Sequence, residues 1–94
     1  MVQPRPGYGV PGTMRFFFNL AGALYDPDNE GVELASISAA RAMAAQAAAE
    51  LIRDRPDLVW TGEEVRVEVT DENQLVLFTV IVFGVDSAAA ANVP

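Results

Sequence analysis

Alternating apolar and polar positions predict a β-strand in residues 15–20. Because successive side chains of a strand point to opposite sides, Phe16, Phe18 and Leu20 share one face and Phe17 lies on the other. The three adjacent phenylalanines also have a high β propensity. This segment is therefore the first strand of a sheet.

A turn and a helix follow. Asp, Pro, Asn and Gly crowd residues 26–31, a composition typical of turns, and residues 32–34 fit a short second strand. Ser36, or failing it Ser38, suits the N-cap of a helix that Pro56 ends near residue 54. The apolar stripe of this helix recurs at helical spacing and consists of Ile37, Ala40, Ala44, Ala47, Ala48 and Leu51.

Strand patterns return after the helix. Residues 58–60 are expected to fold back on its last turn, and Val65, Val67 and Val69 then alternate with polar residues. A hairpin at 71–74 leads into a last strand, residues 75–83, that is apolar on both faces. The pattern predicts an α+β fold: a three- to four-stranded, mainly antiparallel sheet with one helix on one face, in the order β–short β–α–β–β. We expect the last strand in the sheet interior.

Composition marks the domain boundaries. Residues 1–13 contain three prolines and three glycines and are predicted to form a disordered arm. Met14 would suit an alternative start. Residues 14–86 form the predicted domain, and residues 87–94 form a flexible tail.

The last strand suggests an interaction surface. One helix covers one face of a small sheet, so the opposite face is left to the arm, to a partner or to solvent. The interface candidates are Phe17, Leu77, Thr79 and Ile81. A homodimer through this face is the preferred hypothesis, and a tolerated strip of exposed side chains is the alternative.

Charge and missing residue types exclude several functions. The 94 residues carry a net charge of −7 and contain no cysteine, histidine or lysine. Scattered arginines argue against nucleic-acid and membrane binding, which need clustered cations. Without the usual bases and nucleophiles, we predict no catalytic residues, no cofactor and no enzymatic activity. The cytoplasm is the expected compartment.

The acidic turn is the alternative candidate site. Asp26, Asp28 and Glu30 match the first alternate ligand positions of a calcium loop, and Gly31 matches its glycine. The pattern then fails, since Ile37 stands where a bidentate glutamate belongs. The alternative function is binding of calcium or a small ligand at residues 26–33 together with Arg41.

Other polar residues have structural interpretations. We expect Arg41 to lie on apolar surface and pair with Glu33 or Glu68. The acidic pairs at residues 63–64 and 71–72 lie at turns, where neighbouring side chains point apart. An enzyme that uses carboxylates alone ranks last among the hypotheses. Trp60, just beyond the helix, is expected at the rim of the core.

An ordered set of short segments resembles a known family. The segments are Met14-Arg15-Phe16-Phe17-Phe18-Asn19-Leu20, Glu30-Gly31-Val32-Glu33-Leu34, Ala40-Arg41 with Ala44 and Glu50-Leu51-Ile52, and Val67-Glu68-Val69-Thr70-Asp71-Glu72. Together they resemble a family of short bacterial proteins classed as a domain of unknown function, over residues 14–83. Relatives typically have histidine at the position of Asn19 and glycine in the last hairpin. The resemblance supports the fold and implies no activity.

Overall fold

The computed structural model describes residues 12–94, which form an α+β domain. The prediction of an arm at residues 1–13 therefore falls outside the described part, apart from residues 12 and 13. The elements are β1 (Met14–Gly22), β2 (Val32–Leu34), α1 (Ile37–Asp54), a 3₁₀ turn (Pro56–Trp60), β3 (Val65–Thr70), β4 (Val76–Val82) and a second 3₁₀ turn (Ala88–Asn92). The predicted fold class and element order are confirmed.

The sheet is antiparallel throughout, with the strand order β2-β1-β3-β4. The prediction that the last strand lies in the sheet interior is wrong, since β4 forms one edge. β3 lies inside the sheet, between β1 and β4. The side chains on both faces of β4 are mostly apolar. One set faces α1, and the other set remains exposed at the edge.

The sequence-predicted boundaries of α1 are confirmed. The Ser36 hydroxyl accepts a hydrogen bond from the Ala39 N–H at 3.0 Å, as an N-cap does. At the other end, the Arg55 N–H donates to the Leu51 carbonyl, and Pro56 begins the 3₁₀ turn. One stripe position differs from expectation, since Ile37 in the first turn is exposed.

Small helix residues and valines meet at the centre of the core. Ala40, Ala44 and Ala48 are buried, and they pack with Phe16 and with Val67 and Val69 of β3. Alanine keeps the helix axis close to the sheet, because a methyl group is the whole side chain. The partly buried residues around this cluster are Met14, Phe18, Leu20, Leu34, Leu77, Phe78, Val80 and Val82.

A bulge changes the face of one β4 residue. Val69 pairs with Phe78 but Thr70 pairs with Val76, so β4 has one extra residue, Leu77, at this point. Leu77 packs against the core cluster as a result. We call the side of the sheet that packs on α1 the helix face and the opposite side the outer face.

The end of the chain is exposed. Every side chain from residue 85 to residue 94 is accessible to solvent, including the 3₁₀ turn Ala88–Asn92. The flexibility of residues 87–94 stays a prediction. None of the helices in residues 12–94 is long and apolar enough to cross a lipid bilayer.

Candidate functional site

The acidic turn is tied to β1 through Asp28. One carboxylate oxygen accepts the Phe18 N–H at 3.1 Å, and the other accepts the N–H groups of Glu30 and Gly31, both at 3.0 Å. The Asp28 N–H in turn donates to the side-chain oxygen of Asn19 at 2.9 Å. The Asp28 carboxylate thus accepts a backbone N–H of β1 beyond the point where β2 stops pairing with β1.

These hydrogen bonds lower the pKa of Asp28. Burial on its own raises the pKa, but the N–H donors of Gly31, Phe18 and Glu30 and the charge of Arg15 outweigh it. The net pKa is below the ordinary value of aspartate. The ionised form is therefore the one that the turn is built around.

Hydrogen bonds of this turn engage the Asp28 carboxylate and the backbone of Asp26 and Glu30. Both Asp28 oxygens already accept N–H donors, and the backbone of Asp26 forms two hydrogen bonds with Leu20, at 2.9 and 3.0 Å. The Glu30 carbonyl accepts from Arg15 at 2.8 Å. Within residues 12–94, no three acidic side chains are placed to hold one metal ion.

A cleft of about 570 Å³ separates the acidic turn from the second half of α1. Asp26, Glu30, Glu50 and Asp54 are among its lining residues, so the cleft is acidic. Arg41, which the sequence analysis assigns to this candidate site, is exposed nearer the start of α1 and does not line the cleft. The structure therefore does not join Arg41 to the acidic turn.

The expected ion pairs of Arg41 are wrong. Glu33 pairs with Arg15 at 3.3 Å, and Glu68 pairs with Arg66 at 3.0 Å. Both acids lie on the outer face, directly opposite an arginine or next to one along the sheet, whereas Arg41 belongs to a helix on the other side. Glu33 and Glu68 therefore lie closer to the arginines of the sheet than to Arg41.

Charged side chains cover the middle of the outer face. Arg66 contacts Glu64 at 2.7 Å and Glu68 at 3.0 Å. Asn19 donates to the Glu68 carbonyl at 3.2 Å and to the Thr70 hydroxyl at 3.4 Å. This part of the outer face is therefore polar, although the sequence pattern had suggested an apolar face.

The acidic pair at residues 63–64 lacks the environment of a general acid. The backbone N–H of Glu64 and the guanidinium of Arg66 lower the pKa of the Glu64 carboxyl. Acid catalysis at neutral pH requires a raised pKa instead. The Glu64 carboxylate has the role of an ion-pair partner on the sheet.

The four interface candidates do not form one patch. Thr79 and Ile81 lie together on the outer face of β4, opposite Glu68 and Arg66. Phe17 is half-buried on β1, with β3 between it and β4. Leu77 packs on the helix face because of the bulge, so its placement on the open face was wrong.

Exposed apolar side chains instead follow β4 and the residues that flank it. Ile81 is 54% exposed, and the other exposed members of the set are Leu75, Val76, Phe83 and Val85. Trp60 is 60% exposed and lies beside Gly84, at the end of this set. The run of residues 75–83, apolar except for Thr79, was the sequence signal, but it does not reveal which strand lies at the edge.

Within residues 12–94, these features define a small α+β domain with an apolar edge strand, β4, and an acidic turn tied to β1. The chain belongs to the family described as Domain of unknown function (DUF6894), whose model matches residues 15–84. The family resemblance inferred from the sequence is thereby confirmed. No curated protein and no solved structure matched the chain.

Proposed function

We propose that this domain is a non-enzymatic interaction module that binds protein through β4. The contact surface is the edge of β4 that faces away from β3, which we call the open edge, together with Thr79 and Ile81 on the outer face. The observation that carries the proposal is a seven-residue, uncharged strand with a single neighbour among the described strands.

An edge strand presents a row of unpaired backbone N–H and C=O groups. An extended segment of another chain can pair with these groups and add a strand to the sheet. Natural edges are often protected by lysine, proline, inward-pointing charges or bulges, and of these β4 contains only the bulge at Leu77. Its bulge at Leu77 leaves the regular part, Phe78 to Val82, available for pairing.

Exposed side chains supply the apolar part of the surface. Ile81, Phe83 and Trp60 are each more than half exposed at one end of β4, and Leu75 and Val76 are exposed at the other. Apolar groups in contact with water favour association, by roughly 25 cal/mol for each Å² removed from water. The ion-paired centre of the outer face contributes less, because buried charges lose hydration.

The hypothesis of association through the sheet, with a second copy or another protein, is kept, and its surface changes. The sequence pattern placed the contact on the whole outer face, including Phe17. The structure supports an edge contact instead, because β3, with Thr70 directly opposite Phe17, separates Phe17 from β4. We propose the cytoplasm as its compartment, on the absence of cysteine and the acidic composition.

Site-specific photo-crosslinking in the native cell tests the proposal. A photoreactive amino acid at Ile81 is expected to form crosslinks to protein, either a second copy or another chain. The same amino acid at Ala45, which is exposed on α1, is the matched control. Thr79→Lys should abolish the crosslinks from position 81, because a lysine on the edge opposes strand addition. Equal crosslinking from positions 45 and 81, or none from position 81, would contradict the proposal.

A further inference from the structure

Negative charge is concentrated in the part of the sequence that contains β4. Residues 56–94 contain seven carboxylates and one arginine, a net charge of −6, whereas residues 1–55 contain six carboxylates and five arginines, a net charge of −1. Residues 75–85, which include β4, carry no charge. The uncharged strand β4 therefore belongs to the more acidic part of the sequence.

Unpaired carboxylates flank β4 at both ends. Glu72 is exposed in the hairpin that precedes the strand. Glu63 lines a groove of about 340 Å³ with Ile81 and Phe83 at the other end, and Asp86 is exposed just beyond it. In contrast to Glu64, these three side chains form no ion pair within residues 12–94.

We infer that the open edge of β4 receives an extended segment of a different protein, with apolar side chains in its middle and lysine or arginine at its ends. The inference rests on the proposed function and names the partner's chemistry. An added strand lies about 4.8 Å from β4, which brings its end residues close to the flanking carboxylates. Charge complementarity over this distance favours a basic segment and increases its association rate.

A second copy of the chain is the less favourable occupant. Two antiparallel β4 strands related by a two-fold axis would bring the Glu72 end of one copy beside the Glu63 and Asp86 end of the other. Like charges at both ends oppose that pairing, and the net charge of −7 on each copy adds to the repulsion. Apolar pairing alone would have to overcome it.

Two synthetic peptides test the charge requirement. Each has a Val-Thr-Val-Thr-Val core, one with a Lys-Arg pair at each end and one with a Glu-Glu pair at each end. Calorimetric titration of the full chain should give at least about tenfold tighter binding of the basic peptide, and the ratio should fall as salt is added. Thr79→Lys should weaken binding of the basic peptide, whereas Ala45→Lys, which changes the net charge equally, should not.

Neutralising the flanking carboxylates provides the matched protein variants. The triple variant E63Q/E72Q/D86N should lose about fivefold or more in affinity for the basic peptide and most of its salt dependence. The control E30Q/E50Q/D54N removes the same charge beside the acidic cleft and should bind as the parent chain does. Circular dichroism of all variants verifies that the fold is retained.

The outcomes separate this inference from the proposed function. Equal affinity for the two peptides would overturn the inference and leave the edge as a contact surface. A concentration-dependent dimer in light scattering that Thr79→Lys removes would also overturn it, in favour of a second copy. If neither peptide bound and the chain stayed monomeric, both the inference and the peptide-binding edge would fail.

Discussion

The indole ring of Trp60 lies on the backbone of Gly84, where a Cβ atom would come 2.5 Å from indole Cζ3 and 2.6 Å from Cε3. The Gly84 N–H also donates to the Val59 carbonyl at 2.9 Å. The 3₁₀ turn after α1 is therefore fastened to the residue that follows β4. Any side chain at position 84 has to displace the ring.

Gly84→Ala is expected to move Trp60 into solvent. Because the ring is already 60% exposed, it can swing away, and the free energy of unfolding should fall by only about 1 kcal/mol. Trp60 is the sole tryptophan, so its emission reports the change directly as a shift to longer wavelength. Ser87→Ala, in the exposed tail, is the control. Unchanged emission in Gly84→Ala would show that the ring does not rest on Gly84.

Removal of the Asp28 carboxylate should release the acidic turn. Asp28→Ala leaves the N–H groups of Phe18, Glu30 and Gly31 without their acceptor, and we expect a loss of about 1–3 kcal/mol in the free energy of unfolding at neutral pH. Denaturant unfolding measures it. Glu50→Ala, an exposed carboxylate in the cleft, should change the stability much less.

The contribution of Asp28 should depend on pH with a defined sign. Its pKa in the folded chain is lowered, so the unfolded chain binds the proton more tightly. The stabilisation is present above the unfolded pKa of about 3.9 and is lost as the pH falls through the lower, folded pKa. The difference between the parent chain and Asp28→Ala should therefore be constant near neutrality and shrink in acid. A difference that grows in acid would contradict this assignment.

Because α1 lies close to the sheet, we expect that only small side chains fit at the buried positions in the middle of the helix. Ala44 is fully buried, and Ala44→Leu should cost about 1–3 kcal/mol because the extra carbons have no space. Ala45→Leu, one residue away and exposed, adds the same atoms on the solvent side and should stay within about 0.5 kcal/mol of the parent chain. Thermal or denaturant unfolding distinguishes the two. Equal effects at both positions would mean that the helix does not pack tightly.

Local patterns in the sequence predicted the elements and their faces well. Ser36 and Pro56 mark the ends of α1, since capping and helix termination depend on nearby residues alone. Alternation identified Phe16 and the β3 valines as core, because the two faces of a strand differ in burial. The order of the short sequence segments was enough to infer the family resemblance.

Relations between elements could not be predicted in the same way. Alternation shows which face a residue occupies but not which strand lies beside it, so β4 was placed in the interior. The bulge that turns Leu77 toward the core depends on pairing with β3, and no residue type marks it. Asp28 carried a ligand-like spacing, yet its oxygens are used by N–H groups of β1 and the turn. The candidate surface on β4 was therefore identified only from the strand order of the folded sheet.

The side chains of Asn19 and Asp28 both hold the acidic turn against β1, and their coupling can be measured. Asn19 accepts the Asp28 N–H, and Asp28 accepts the N–H of Phe18, the neighbour of Asn19. Asn19→Ala alone should cost about 1–2 kcal/mol, since it also removes the donor to the Glu68 carbonyl. Once either side chain is lost, the turn moves away from β1. The second substitution then removes fewer hydrogen bonds and lowers the free energy of unfolding by less. The loss in the free energy of unfolding of the double variant Asn19→Ala/Asp28→Ala should therefore be smaller than the sum of the two single losses, by about 0.5–3 kcal/mol. Additive effects in a denaturant cycle would show that the two side chains hold the turn independently.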